Sequence, residues 1–199
     1  MKKKKNQAGF TLGEMLVAVL IMLMASTILV SGIPAAKNAY EKVVLASNAQ
    51  ALLSTTIAAL RDELGTATDI KKLTSSDTGT YLSYYSADIG SRSQLFLEET
   101  DGKKIIKLRE FAQDENLSDF GIISTNASKA EARPLLTNAA SSGDVMYVTF
   151  DIDNVTIAND SVTIPGLKVC SKNNEGLVLA DLGEGSEGLT IKTYTEIAE

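Results

Sequence analysis

The sequence contains no histidine and no tryptophan, and it has a single cysteine among its 199 residues. Without histidine the chain lacks the usual general base and the commonest zinc ligand, so ordinary Ser-His catalysis and zinc-histidine chemistry are excluded. Cys170 has no second cysteine to pair with, and we expect it to be a small core residue on a strand. We therefore predict neither an enzymatic activity nor a resident cofactor.

Basic residues are also few, and they are unevenly distributed along the chain. The net charge is −6, with 19 lysines and arginines against 25 aspartates and glutamates. The run from Lys2 to Lys5 lies in the first nine residues, and beyond it 15 basic residues face 25 acidic ones. Because phosphate neutralisation requires clustered lysine and arginine, this acidic remainder argues against general nucleic-acid binding.

A long apolar segment follows directly after these lysines. Residues 15–36 carry no charge, and as a helix this segment is about 33 Å long, enough to cross a bilayer. The lysines predict that its first end stays on the cytoplasmic side. Glu14 lies inside the apolar end, although a carboxylate costs about 2.5 to 3.5 kcal/mol at the middle of a membrane helix and less near the interface. We therefore expect Glu14 to have a partner or a function.

Three interpretations of this segment differ in the fate of the helix. A secretory signal peptide has a shorter apolar core and a small-residue cleavage site after it, and residues 30–32 match such a site poorly. An uncleaved anchor fits the length of the segment but gives no reason for Glu14. The third interpretation comes from the junction of Gly9 and Phe10, where the basic leader ends and the apolar run begins.

The stretch GFTLGEMLVAVLI, residues 9–21, resembles the N-terminal processing signal of type IV prepilins and pseudopilins. The shared features are the basic leader, the Gly-Phe junction, the glutamate at the fifth position after it and the uninterrupted apolar run. Gly13 departs from the family pattern, which usually has Leu, Ile or Val at this position. This resemblance covers about 25 of the 199 residues. A second stretch, ALLSTTIAALRDELGTA at residues 51–67, loosely resembles the helix ends of minor pilins and pseudopilins, which implies a minor subunit as one form of the protein.

The resemblance implies cleavage between Gly9 and Phe10 by a prepilin peptidase, followed by N-methylation of the new terminus. It also implies that Glu14 pairs with the terminal ammonium of a neighbouring subunit, which offsets the cost of burying a lone charge. The implied function is a structural subunit of a bacterial type IV pilus or of a related pseudopilus for secretion or DNA uptake. The alternative is a membrane-anchored extracytoplasmic binding module with an uncleaved anchor.

The same resemblance implies where the protein is found and what it contacts. Before assembly the chain is expected to cross the cytoplasmic membrane once, and afterwards to lie in an extracellular filament or on the cell surface. Its implied partners are other pilin subunits, the prepilin peptidase, the membrane and the inner-membrane assembly platform.

Apolar spacing extends the predicted helix from Phe10 to Leu64, with Gly65 as its stop. Gly32 and Pro34 predict a kink, because proline removes one helical hydrogen bond. The predicted parts of the chain are a leader (1–9), a transmembrane half of the helix (10–36), an amphipathic half (37–65) and a β-rich head (66–199). The apolar stripe that is predicted to face the head consists of Tyr40, Val44, Ala49, Leu52, Leu53, Ile57, Leu60 and Leu64.

After Gly65 the pattern changes to short strands separated by turns. Residues 93–99 and 103–111 flank Asp101-Gly102, which is a strong hairpin signal. The polar segments 66–80 and 114–142 are predicted to be loops, the second with room for a short helix. Further strands are predicted at residues 143–158, 161–171, 176–182 and 188–197. One long helix followed by an antiparallel sheet predicts an α+β fold of the pilin type.

Two acidic clusters in the head bear on calcium binding. Residues 151–154 lack the alternating oxygen ligands of a calcium loop, and their two aspartates are predicted to be exposed on one face of a strand. Asp181, Glu184 and Glu187 surround the glycines of DLGEGSEG and form a better loop. No metal is predicted, and these three residues are the candidates if Ca²⁺ does bind.

Overall fold

The computed structural model describes residues 10–75, 79–87, 90–100, 103–110, 131–136, 145–174, 176–183 and 186–193. Within this part the chain forms one long N-terminal helix followed by antiparallel β-sheets, which confirms the predicted α+β fold. The chain divides into two compact units, Met1–Val44 and Leu45–Glu199. The second unit contains the end of the helix together with the sheets.

Helix α1 spans Leu12–Gly65 and has 54 residues. It begins at Leu12 rather than at the predicted Phe10, and it ends at Gly65, the predicted stop. Gly32 and Pro34 both lie inside the helix, which continues through them without interruption. The kink proposed at these two residues stays a prediction.

The described strands pair in three antiparallel sheets. Their bounds are β1 Ala67–Ser75, β2 Gly79–Ser86, β3 Ser91–Thr100, β4 Lys103–Glu110, β5 Arg133–Pro134, β6 Met146–Thr149, β7 Thr156–Ile157, β8 Ser161–Ile164, β9 Lys168–Ser171, β10 Val178–Asp181 and β11 Leu189–Lys192. The first sheet has the strand order β1-β2-β3-β4-β5, the second β10-β9-β6 and the third β11-β8-β7.

The prediction of a loop at residues 66–80 is wrong, because β1 and the start of β2 occupy this segment. The two strands pair from Ala67 opposite Ser86 to Ser75 opposite Gly79. β1 lies at the edge of its sheet, and Lys71 and Lys72 are both exposed. An edge strand with adjacent exposed lysines lacks the clear alternation of apolar and polar residues by which strands are recognised in a sequence.

The predicted hairpin of residues 93–111 is confirmed by the pairing of β3 and β4. The register places Thr100 opposite Lys103, while the Asp101-Gly102 turn itself lies outside the described residues. Most of the predicted loop at residues 114–142 also lies outside them. Its described part contains the short strand β5, which pairs with β4 at Lys107 and Leu108.

Two of the long strands predicted in the second half of the chain are each divided by a turn. Residues 150–155 separate β6 from β7, and Pro165 and Gly166 separate β8 from β9. Gly166 has φ +65°, a conformation that glycine adopts without the strain of a side chain. The separation places β8 and β9 in different sheets, so one continuous strand at residues 161–171 is ruled out.

The core of the unit Leu45–Glu199 lies between the end of α1 and the sheets. The helix buries Ala49, Leu52, Leu53, Thr56, Leu60 and Leu64 at helical spacing. Fully burying a leucine stabilises the fold by about 1.5 to 3 kcal/mol. The predicted stripe is therefore confirmed from Ala49 onward, but Tyr40 and Val44 are 70% and 37% exposed and do not belong to this core.

Two other buried residues, Tyr84 and Cys170, lie on strands of this unit. Tyr84 on β2 is fully buried, and its hydroxyl donates a hydrogen bond of 2.7 Å to Glu63 Oε1 on the helix. Burial raises the pKa of the Tyr84 phenol above its ordinary value, and the charge of Glu63 adds to this effect. Cys170 on β9 is 3% exposed, which confirms the prediction of a buried residue on a strand.

Candidate functional site

The candidate site is the N-terminus of α1, where Thr11 and Glu14 bind each other. Thr11 Oγ1 accepts a hydrogen bond of 3.3 Å from the backbone N–H of Glu14. In return, Glu14 Oε2 accepts bonds from the backbone N–H of Thr11 at 2.9 Å and from its hydroxyl at 3.0 Å. This reciprocal arrangement is a capping box, which satisfies N–H groups that have no partner inside the helix. Thr11 is therefore the N-cap residue, and the helix begins at Leu12.

The capping box holds the Glu14 carboxylate by one of its two oxygens. Among the described residues, Oε1 has no hydrogen-bond partner, and the side chain is exposed. A carboxylate in this state accepts further hydrogen bonds or pairs with a cation. The first turn of a helix also favours negative charge, because the helix dipole is positive at this end.

None of the described residues in the apolar part of α1 is buried. Phe10 and Leu12 are 82% and 83% exposed, and the large apolar side chains from Met15 to Ile33 are all more than half exposed. Exposed apolar surface of this extent marks a membrane or protein interface. By length and composition, α1 is the one helix of the described residues that meets the criteria for crossing a membrane.

The hydroxyl groups within this apolar part are satisfied by the helix itself. Ser26 Oγ donates to Met22 O at 2.8 Å, and Thr27 Oγ1 donates to Met24 O at 2.7 Å. Ser31 Oγ donates to the carbonyl of Thr27 at 3.0 Å. Since hydrocarbon offers polar groups no partner, these bonds allow the three hydroxyls to lie in a bilayer or among apolar helices.

The structure brings together only part of the predicted site. Phe10, Thr11 and Glu14 lie at the start of the helix, while Gly9 lies outside the described residues. A Cβ atom at Gly13 would meet no described atom within 4 Å, so no described residue requires glycine there. The role of Thr11 was not predicted, although the Thr-x-x-Glu spacing of a capping box is visible in the sequence.

The candidate calcium loop is described only in part. Asp181 Oδ1 accepts a hydrogen bond of 2.9 Å from the backbone N–H of Gly183, which closes a local turn. Glu187 is exposed, and Glu184 lies outside the described residues. Within the described ranges, no three histidine, cysteine, aspartate or glutamate side chains are grouped to hold a metal ion. The prediction of no metal, with Asp181, Glu184 and Glu187 as the candidates if Ca²⁺ does bind, stays a prediction.

The other acidic cluster, residues 151–154, forms a turn and not the predicted strand. Asp151 Oδ2 accepts a hydrogen bond of 2.8 Å from the side-chain amide of Asn154. Thr80 Oγ1 donates to Asp153 Oδ1 at 2.5 Å, and Lys72 Nζ donates to the backbone carbonyl of Asp153 at 2.8 Å. Both aspartates are exposed as expected. The bonds of Asp153 fix the turn to β1 and β2, whereas the side chain of Asp151 bonds within the turn.

The fold and the site define a protein anchored by an apolar N-terminal helix and carrying a β-rich unit. Residues 4–30 match the family model described as the prokaryotic N-terminal methylation motif. The chain therefore carries the type IV prepilin signature, as the sequence resemblance indicated. No curated protein and no solved structure matches the chain in the corresponding comparisons.

Proposed function

We propose that the protein is a structural subunit of a type IV pilus or of a related pseudopilus. The methylation motif at residues 4–30 carries this proposal, because it is the signature of substrates of prepilin peptidase. The exposed apolar helix and the Thr11–Glu14 capping box support it. Cleavage falls between Gly9 and Phe10, N-methylation of Phe10 follows, and the helix is retained.

Cleavage changes the chemistry of the site by creating a positive charge. The amide nitrogen of Phe10 becomes a terminal ammonium, which stays positive after N-methylation. In the assembled filament, Glu14 of one subunit pairs with this ammonium of its neighbour. A lone carboxylate among apolar helices is costly, whereas a paired one has this cost offset, so the pair fixes the axial register of the helices.

The partners and the location follow from the same proposal. The subunit is held in the cytoplasmic membrane by its apolar helix until the assembly platform transfers it into a filament. Once in the filament, neighbouring subunits replace lipid around the exposed apolar side chains. The unit Leu45–Glu199 then lies outside the membrane.

Mass spectrometry of the native protein tests the processing step. A mature chain that starts at Phe10 with an N-methyl group is the expected result. Gly9→Leu should retain the leader, whereas Gly13→Leu, which introduces a residue usual for the family at a nearby glycine, should be cleaved normally. An intact leader, as in an uncleaved membrane-anchored binding module, or a chain that starts near Ile33, as after signal peptidase, would contradict the proposal.

A further inference from the structure

A cavity in the unit Leu45–Glu199 lies on the outer side of the sheet that contains β6 and β9. Its volume is about 500 Å³, within the range of small-molecule sites. The register pairs Tyr147 with Cys170 and Thr149 with Lys168, so these four side chains share one face of the sheet. All four line the cavity, and the opposite face of these strands packs in the core.

Two turns form the wall of the cavity and are held in place by hydrogen bonds. The backbone N–H of Asp151 donates to Pro165 O at 3.0 Å, which joins the turn at residues 151–154 to the turn at Pro165 and Gly166. Lys72 Nζ fixes the first turn through the carbonyls of Asp153 and Val155, at 2.8 and 3.1 Å. The wall is therefore formed before any ligand arrives.

Charges of both signs line this cavity. Lys104 from β4 and Lys168 from β9 contribute ammonium groups. Neither ammonium group forms a hydrogen bond or an ion pair with a described residue. Asp151 and Asp153 contribute carboxylates, whose described hydrogen-bond donors are uncharged groups. The formal charges of these four groups cancel, so the described lining of the cavity offers strong donors and strong acceptors in equal number.

We propose that this cavity binds a neutral saccharide of one or two rings. Sugar hydroxyls both donate and accept, so they can bond to the carboxylates of Asp151 and Asp153 and to the ammonium groups of Lys104 and Lys168 at the same time. Tyr147 adds an aromatic side chain for the apolar face of a sugar ring. A phosphate is disfavoured because the two carboxylates repel it, and an apolar ligand would leave four charged groups without partners.

Cys170 is the chain's only cysteine, and its side chain lines the cavity although it is only 3% exposed. A ligand that fills the cavity should therefore slow the labelling of this thiol further. The full chain is purified in a detergent without a sugar headgroup, and the rate of iodoacetamide labelling is measured with a panel of neutral mono- and disaccharides. The panel contains glucose, galactose, mannose, N-acetylglucosamine and their disaccharides. At a concentration ten times the dissociation constant, a binding saccharide should slow labelling about tenfold. Inorganic phosphate and betaine at equal osmolality are the non-saccharide controls.

Substitutions in the cavity separate binding from general stabilisation by a solute. Lys168→Met and Asp153→Asn each remove a charged hydrogen-bonding group. Each should lower the affinity for the protecting saccharide about tenfold. Lys192→Met removes an exposed lysine of β11 that does not line the cavity, and it should leave protection unchanged. Each variant is compared with its own labelling rate without ligand.

Three results would overturn the proposal. The first is that no saccharide of the panel slows labelling more than betaine does. The second is protection by phosphate and not by any saccharide, and the third is equal protection in Lys168→Met and in Lys192→Met. The labelling does not depend on cleavage or on filament assembly, so this inference and the proposed function stand or fall separately.

Discussion

At the scale of single residues, Glu14 is held by its own chain before a neighbouring subunit is present. Thr11 donates to Oε2 from both its backbone and its hydroxyl, which fixes the carboxylate at the start of the helix. A side chain that is already ordered loses less conformational freedom when it binds a partner. The capping box therefore prepares Glu14 for the ammonium of a neighbouring Phe10.

Three substitutions distinguish the cap from the charge. Glu14→Gln keeps a capping-box residue but removes the charge, Glu14→Ala removes both, and Thr11→Ala removes the N-cap. We expect both Glu14 variants to lose most of their incorporation into filaments. Thr11→Ala should assemble at a reduced level, because losing an N-cap costs about 1 kcal/mol. The measurement is the fraction of subunit in sheared filaments relative to the membrane fraction.

The membrane fraction is the control in this series, since none of the three changes shortens the apolar segment. All variants should therefore insert to the same extent as the unchanged chain. If Glu14→Gln assembled normally, the carboxylate charge would not be needed and the pairing with an ammonium would be refuted.

Asp69 is a second residue with a distinct electrostatic environment. Its φ is +50°, and its carboxylate pairs with Arg92 at 2.7 Å and with Lys71 at 3.2 Å. Burial alone would raise the pKa of Asp69, but the hydrogen bonds and charges of Arg92 and Lys71 outweigh it and lower the pKa below its ordinary value of 3.8. The stabilisation is thus present above about pH 4 and is lost as the pH falls through the lowered pKa.

Asp69→Asn should accordingly destabilise the fold by less than about 1 kcal/mol at pH 7, because the pair is partly exposed. The difference from the unchanged chain should shrink below pH 4, as followed by urea unfolding at several pH values. Asparagine also tolerates positive φ, whereas alanine does not. Asp69→Ala should therefore lose additional stability, by an amount that is independent of pH. If the difference in stability between the unchanged chain and Asp69→Asn stayed the same throughout the acid titration, this reasoning would be contradicted.

At the scale of secondary-structure elements, Gly188 allows β11 to approach the end of β8. Its φ is +129°, and an added Cβ atom would lie 2.6 Å from Ile164 O and 2.9 Å from the Cα of Pro165. These neighbours are backbone atoms, so the strands themselves would have to separate. Gly188→Ala should therefore destabilise the fold by about 3 kcal/mol or more, as measured by urea unfolding.

Gly183→Ala is the matched control for this substitution. Gly183 also has a positive φ, of +93°, but an added Cβ atom there would meet no atom of the described residues within 4 Å. Gly183→Ala should therefore show the effect of backbone strain alone, which lowers the free energy of unfolding by about 1 kcal/mol. Equal losses at Gly183 and Gly188 would show that strain, and not the contact with Ile164, determines the requirement for glycine.

The elements differ in how far the sequence predicts them. α1 is predictable because its apolar run and its later stripe follow the helical period over many turns, and the β3–β4 hairpin because Asp-Gly separates two apolar strands. β1 is missed because Lys71 and Lys72 are adjacent and exposed on an edge strand. The divisions between β6 and β7 and between β8 and β9 are missed because they depend on which sheet each short strand joins.

The candidate site was predictable from local spacing, whereas the cavity was not. Gly9, Phe10, Thr11 and Glu14 lie within six residues of each other, so the motif and the capping box are both visible in the sequence. Lys104 and Lys168 are far apart in the chain and meet only because β4, β6 and β9 come together. Sequence spacing carries no information about such long-range contacts.

At the scale of the whole molecule, apolar side chains are used in two different ways. In the unit Met1–Val44 the large described apolar residues are exposed, as suits a helix whose surroundings are lipid or other helices. The unit Leu45–Glu199 contains every buried apolar residue of the described chain, from Ala49 onward. The second unit therefore holds its own core, and part of that core is the end of α1.

A fragment of residues 45–199 should consequently be soluble without detergent and unfold in one cooperative transition, as followed by circular dichroism. A fragment of residues 66–199 should not fold, because it lacks Leu52, Leu53, Leu60 and Leu64 of the core. Burial of four leucines contributes about 6 to 12 kcal/mol, comparable with the whole stability of a domain, about 5 to 15 kcal/mol. If the shorter fragment unfolded at the same urea concentration as the longer one, the helix would be an attachment to the sheets and not part of their core.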